Sequence, residues 1–442
     1  MNVEEQLTLS ACWDNELVPA GEISHRNLLI KLVAPARQNT EDKRLPINLA
    51  LVIDRSGSMN GEPIAAACQA AAGIVDCLDN HDRLSLVIFN DEVNTLFSGL
   101  LMHSNGKAEA REKISGIFSR GTTDLAAGWF EGARCVSEVV DNSDFEAGNV
   151  LVLSDGYANR GLCSPDELQR HSQELAAREI KTSAIGIGAG YSPLQLDALT
   201  EGGRGRLHDA ETTADIIDVV AGELGELNAI VARDIELTLN YPTIGKLEPL
   251  TRMAFEESSG KYLFKVGDLS AMATRSIALR VDLPRLEQGE HLPFQISVVW
   301  RGARDDDSST TLDKITHLIV VPADEANSQQ ENLDVIEQIA DLWEASLAYT
   351  AVQLNEVGDY AKASLVYDEQ IATFADLVNE LPDRSARAKR LAVARNRVAE
   401  KWDGRSKRLA YALSKKSMRS EPDLRKRAVG NFKDQLKRDN NG

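Results

Sequence analysis

Asp54, Ser56 and Ser58 stand at alternate positions directly after the apolar run 47–53, with Gly57 between the two serines. A carboxylate and two hydroxyls are hard oxygen donors. They are the ligand type of a small divalent cation such as Mg2+, which takes near-octahedral oxygen coordination and keeps some of its waters. Gly57 allows the tight turn that points all three side chains to one side. Taken alone, this pattern is also an ordinary turn composition. Two later stretches change that balance: Gly121-Thr122-Thr123-Asp124 precedes a helical pattern, and a second apolar run, 150–153, ends in Ser154-Asp155-Gly156. Both can supply further oxygen ligands.

Such donors must be held at the ends of strands. A nearly all-apolar run bounded by Pro46 and Asp54 reads as a strand buried on both faces, as in a parallel sheet. From 46 to 228 the chain alternates such runs with amphipathic helical patterns. Strands are expected at 47–53, 84–89, 150–153, 183–187 and 206–208, with an edge strand at 94–97 and helices at 64–78, 108–117, 125–140, 165–178, 194–200 and 213–227. This predicts an α/β domain, a doubly wound and mostly parallel sheet whose ligands bind at the carboxyl ends of the strands. Asp54 and Asp155 fall there.

The combination Asp-x-Ser-x-Ser, a Gly-x-Thr turn and an apolar strand ending in Ser-Asp-Gly resembles the metal-ion-dependent adhesion site (MIDAS) of von Willebrand factor type A (VWA) domains. The resemblance covers 46–227 most strongly. It implies a Rossmann-like fold in which Ser56, Ser58 and Thr123 touch a metal, Mg2+ or else Mn2+ or Ca2+, while Asp54 and Asp155 act directly or through water. The family usually has Gly-Gly-Thr where this chain has Gly121-Thr122-Thr123, so only alignment prefers Thr123 to Thr122. The function it implies is adhesion or scaffolding: a partner protein's Asp or Glu carboxylate fills the open position on the cation. Arg55, Arg120 and Arg160 flank the metal loops and are candidates to pair with further acidic groups of the partner, and Tyr157 to add apolar area.

Two other readings follow from the same residues. Similar domains occur as non-catalytic subunits or adaptors of AAA+ ATPases, as in magnesium chelatase. No Walker motif stands in this chain, so the ATPase would be a separate partner. A metal-dependent phosphohydrolase would use Asp54 as nucleophile, but that chemistry wants a carboxylate two residues on, where Ser56 stands. The reading is therefore a binding protein and not an enzyme.

Outside the metal domain the period changes. Candidate strands before residue 45, at 6–13 and 26–34, make no stable sheet alone, whereas 229–325 holds six more at 234–240, 252–255, 261–266, 275–281, 293–300 and 315–321. About eight strands predict a β-sandwich into which the metal domain is inserted. Asp305-Asp306-Asp307 reads as a solvated hairpin tip and 323–330 as a polar linker. The segment 331–416 is read as a helical region: a hairpin of 333–357 and 360–381 broken at Gly358-Asp359, then a basic helix from 385 to 416. A basic flexible tail, 417–442, follows. This architecture looks loosely like bacterial VWA proteins akin to inter-alpha-trypsin inhibitor heavy chains and calcium-activated chloride channel regulators.

The 442 residues carry a net charge of -19, yet 381–442 holds 19 Lys and Arg against 7 Asp and Glu. The acidic body argues against general nucleic-acid binding. The basic segment has RNA, an anionic membrane or the body itself as possible partners, and the last is favoured. Five cysteines without a Cys-x-x-Cys pair suit reduced thiols. No apolar run is long enough to span a membrane, and the start lacks a secretory pattern, so a cytoplasmic protein is expected. Gly186-Ile187-Gly188-Ala189-Gly190 lacks dinucleotide-binding spacing and reads as a strand exit.

Overall fold

The computed structural model describes residues 7–36, 46–141, 145, 147–155, 160–188, 191, 193–210, 215–216, 218–220, 222, 225, 229–242, 245–251, 253–302, 309–403, 406–407, 410, 414 and 419–420. Tyr157, Asp305-Asp306-Asp307, Ala189-Gly190, most of the helix expected at 213–227 and nearly all of the expected tail 417–442 lie outside the described residues. The chain divides into two compact units, one drawn from Thr40–Asn228 and one from Met1–Asn39 with Ala229–Pro422.

Three strands open the chain: β1 (Thr8–Trp13), β2 (Leu17–Pro19) and β3 (Ser24–Val33). The next, β4 (Asn48–Asp54), is buried at all 7 positions. It is followed by α1 (Glu62–Cys77), β5 (Arg83–Phe89), β6 (Val93–Leu101), α2 (Ser104–Ser115), α3 (Leu125–Asp141), β7 (Gly148–Ser154), α4 (Pro165–Ala176), β8 (Ile180–Ile187), α5 (Pro193–Gly202) and β9 (Arg204–Ala210). The strands form one sheet in the order β6-β5-β4-β7-β8-β9, parallel except for the β5–β6 pair. The doubly wound α/β domain expected from the sequence is present.

Alternation along β4 divides the domain into two cores, because successive side chains leave opposite faces of a strand. Leu49, Leu51 and Ile53 pack with the alanine-rich face of α1 and with Ala110 and Ile114 of α2. Ala50 and Val52 pack on the other face with Trp129 and Val136 of α3, Leu168 of α4 and Leu196 of α5. Two glycines bring α3 against the sheet. A Cβ at Gly128 would lie 2.4 Å from the Phe89 ring, and one at Gly132 would lie 2.4 Å from a Val52 methyl. This close approach sets the amino end of α3 beside the ends of β4 and β5. The order also reverses at β4, which has β5 on one side and β7 on the other. Loops leaving β4 and β7 therefore diverge, opening a crevice at their carboxyl ends.

In the other unit the strands continue as β10 (Ile230–Asn240), β11 (Lys246–Pro249), β12 (Phe255–Ser258), β13 (Lys261–Ser270), β14 (Thr274–Leu283), β15 (His291–Gly302) and β16 (Ser309–Val321). Sheets β1-β3-β14-β11 and β12-β13-β10-β15-β16-β2 enclose one apolar core, with Arg419–Ser420 pairing on β14. The sandwich therefore has more strands than the eight expected. The additions are short: β2 and β11 each end in a proline, whose turn signal masks the strand in the sequence.

Two expectations for the helical region need correction. The segment read as a linker contains α6 (Ala323–Ser328), which has acidic residues in its first turn and buries Ala326. It precedes α7 (Leu333–Glu356), α8 (Tyr360–Leu377) and α9 (Arg384–Val398). The basic helix thus breaks at Val398 instead of running unbroken to 416, and residues 406, 407, 410 and 414 beyond the break are helical again. Asn355, buried on α7, donates its amide to the Glu400 carbonyl at 2.7 Å and accepts the Trp402 N–H at 3.0 Å, diverting the chain. Arg387 is 3% exposed and reaches Asp341 at 2.7 Å and Glu344 and Asp383 at 3.0 Å. Arg390 meets Glu344, Arg395 meets Asp368 and Lys407 meets Glu356. Cations of this basic segment thus face carboxylates of the same unit.

Candidate metal centre

β4 ends in Asp54, which is fully buried. Its carboxylate accepts the Ser56 N–H at 2.8 Å on one oxygen and the Ser154 hydroxyl at 2.6 Å on the other. Ser56 and Ser58 share a hydroxyl contact at 3.0 Å, and the Ser58 hydroxyl donates to Asp155 at 2.8 Å. One continuous chain of oxygen atoms thus joins the ends of β4 and β7. Ser56 is buried, Asp155 half-buried and Ser58 exposed, so the chain runs from the interior to the solvent.

The third segment is stitched to the first. The Gly57 N–H donates to the Gly121 carbonyl at 2.9 Å and the Arg120 N–H to the Arg55 carbonyl at 2.6 Å. Gly121 has φ +78°, and a Cβ there would lie 2.2 Å from an Asp91 carboxylate oxygen, so glycine is needed. Asp124 accepts the Ala127 N–H at 3.0 Å and caps the start of α3. Between them Thr122 is exposed while Thr123 is 4% exposed. The threonine favoured by alignment is also the inward one.

Burial pushes the Asp54 carboxyl above its usual range, against the hydrogen bonds from Ser154 and Ser56. Asp155 is pushed up to about 6, chiefly by burial and further by the charge of Asp54, against the bond from Ser58. Two carboxylates that are costly to ionise thus share a site with aligned hydroxyls. This all-oxygen set fits a small hard cation, which would offset the cost of keeping both ionised. Among the described residues no group of three or more His, Cys, Asp or Glu is arranged to hold a metal.

The flanking arginines separate into two kinds. Arg120 is exposed, paired with Glu92 at 3.1 Å, and its guanidinium lies 5.8 Å from the Phe118 ring centroid. Arg160 is exposed, with Asp91 at 3.9 Å. Arg55 is only 4% exposed and touches Asn90 at 3.4 Å. Burial, then the charge of Arg120, lowers its pKa. Arg55 is thus part of the wall and not of the surface. Three contributors escape the sequence reading. Ser154 holds Asp54; its place before Asp155 was visible, its role was not. Asn90 binds the Arg120 carbonyl at 3.0 Å and the Glu92 N–H at 3.0 Å, tying the loop after β5 to the loop before α3. Phe118 stands 59% exposed at the rim.

Residues 48–220 match the family model of the von Willebrand factor type A domain. This stretch is a VWA domain. VWA domains commonly mediate metal-dependent protein interactions. The whole chain is similar in fold to a von Willebrand factor type A protein from Catenulispora acidiphila, with TM-score 0.66 and 15% identity, covering 94% of this chain and 97% of that one. The ArnB paralog VWA2 from Sulfolobus acidocaldarius matches with TM-score 0.56 and 16% identity over 93% of this chain and 98% of its own. In sequence, the uncharacterized protein sll0103 of Synechocystis sp. is 25% identical over 309 residues, 67% of this chain and 70% of that protein. Human inter-alpha-trypsin inhibitor heavy chain H4 is 26% identical over 236 residues, 51% of this chain but only 24% of the heavy chain. No helix among the described residues is long and apolar enough to cross a membrane.

Proposed function

We propose that the VWA domain binds a divalent cation, Mg2+ or else Mn2+ or Ca2+, through Ser56, Ser58 and Thr123, with Asp54 and Asp155 acting directly or through water, and thereby binds a partner protein through one of its acidic side chains. The observation that carries this reading is the oxygen chain from Ser154 through Asp54, Ser56 and Ser58 to Asp155, which contains two carboxylates raised by burial. The cation, when bound, supplies a Lewis-acidic position for a carboxylate oxygen. The chain's own residues do the rest. Ser154 and the Ser56 N–H fix Asp54, Gly57 and Gly121 lock the two loops, and exposed Ser58 marks where solvent or a partner enters. Arg120 and Arg160 lie at the rim as charges complementary to an acidic surface.

The reading is one of binding and not of catalysis. Position 56 offers a hydroxyl where phosphoryl transfer would want a second carboxylate. Of the histidines in this domain, His103 caps α2 by accepting the Gly106 N–H, and His171 pairs with Glu174. The test is capture from native lysate by purified protein in Mg2+, in chelator, and with a Ser56→Ala/Asp155→Ala variant. Proteins retained only by the intact protein in Mg2+ support the reading. The same proteins in all three conditions would contradict it.

A further inference from the structure

A lone exposed phenylalanine is ordinary on a protein surface. Phe118 differs in where it is held. The loop it begins is bonded to the metal-binding turn from several directions: the Ser119 hydroxyl to Asn60 at 3.1 Å, the Arg120 N–H to the Arg55 carbonyl at 2.6 Å, and the Gly121 carbonyl to Gly57. Asn90 grips the Arg120 carbonyl from the other side. Just before it, Ile117 packs against the α1 and α2 core, and Phe118 is itself 59% exposed. In the described part of 46–228 the exposed large apolar side chains are Phe118 and Phe130. Phe130 already packs on Trp129 and His171. Phe118 has Arg120 beside its ring, and that guanidinium is held in turn by Glu92.

We propose that Phe118, braced by Arg120, is a second contact for the partner, and that the partner segment carries a large apolar side chain near the acidic residue that meets the metal. This rests on the carboxylate-binding reading above and adds the partner's sequence chemistry to it. A carboxylate alone gives little discrimination, since any acidic surface offers one. An apolar side chain buried against a fixed aromatic ring adds the kind of anchor that dominates interface energetics. Arg120 keeps the ring oriented and attracts the acidic segment on approach.

The experiment uses the full chain and an array of synthetic 12-residue peptides, each with one central Asp or Glu and varied neighbours, read in Mg2+ and in chelator. The expected result is Mg2+-dependent binding enriched for Leu, Phe or Trp near the acid. For such peptides Phe118→Ala should weaken binding about tenfold. It should leave Mg2+ affinity, measured by calorimetry, unchanged. The same substitution should have little effect on the matching peptide with alanine at the apolar position. Mg2+-dependent binding without apolar preference, or indifference to Phe118→Ala, would overturn the Phe118 contact while leaving the carboxylate reading intact. No Mg2+-dependent binding to any acidic peptide would overturn both.

Discussion

Replacing Asp155 by asparagine should raise the stability of the metal-free VWA domain at pH 8 and abolish its stabilisation by Mg2+. In the folded protein the Asp155 carboxyl titrates at about 6, against 3.8 ordinarily. The folded state therefore holds this proton more tightly than the unfolded chain does. Stability is lost as pH rises through that interval and not beyond it. At pH 8 the full difference corresponds to about 3 kcal/mol. Asp155 is partly exposed and accepts the Ser58 hydroxyl, so solvent screening and the weakened hydrogen bond reduce the expected gain to about 1–2 kcal/mol. The gain should shrink as pH falls through about 6 and vanish below 3.8, where both side chains are neutral. Saturating Mg2+ should reverse the order, because about a hundredfold excess over Kd stabilises the wild type by about 2.7 kcal/mol and the variant not at all. Hydrogen exchange of the β4 and β7 amides along a urea series, in chelator and in Mg2+ at pH 5 and pH 8, reads the metal domain separately from the sandwich. If Asp155→Asn destabilised the metal-free domain equally at both pH values, Asp155 would be a structural acceptor and the reasoning would fail.

Gly128→Ala would place a methyl 2.4 Å from the Phe89 ring and push α3 from the sheet. It should cost about 1–3 kcal/mol in a thermal melt and weaken Mg2+ affinity in calorimetry, because Thr123 precedes that helix. Arg387→Ala would remove the buried guanidinium shared by Asp341, Glu344 and Asp383, leaving Glu344 with Arg390. The carboxylates left behind reach solvent, so a loss of about 1–2 kcal/mol is expected, below that of a pair whose remaining charge stays buried. It should appear as faster hydrogen exchange in α7 and α9 with Mg2+ affinity unchanged.

What could be read from the sequence was whatever is local. Seven apolar residues ending in Asp54 specify a strand buried on both faces, and Ser154-Asp155 after a second such run places its partner. The amino-terminal strand 8–13 pairs with 24–33, which in turn pairs with 274–283, a partner far along the chain, yet the change of period was enough to suggest the sandwich. Long-range contacts were not legible. Asn355 ends the basic helix from more than forty positions away, and nothing around Val398 announces it. Asn90 sits in a plain polar turn, Asn-Asp-Glu, and its role appears only when the loops after β5 and before α3 meet. Arg55 looked like a surface arginine because its neighbours are ligands, whereas packing under Asn90 and beside Arg120 buries it. Short strands ending in proline, β2 and β11, carry too few residues to outweigh a turn signal.

Asp54, Ser56, Ser58, Thr123 and Asp155 are proposed to form one metal site. The most direct measurement is the anomalous scattering of Mn2+ in crystals of the full chain. The expected result is a peak at the carboxyl ends of β4 and β7, within direct coordination distance of the Ser56 and Ser58 hydroxyls and beside Thr123, and its loss in Ser56→Ala/Asp155→Ala crystals. A peak elsewhere, or none at these residues under saturating Mn2+, would contradict it.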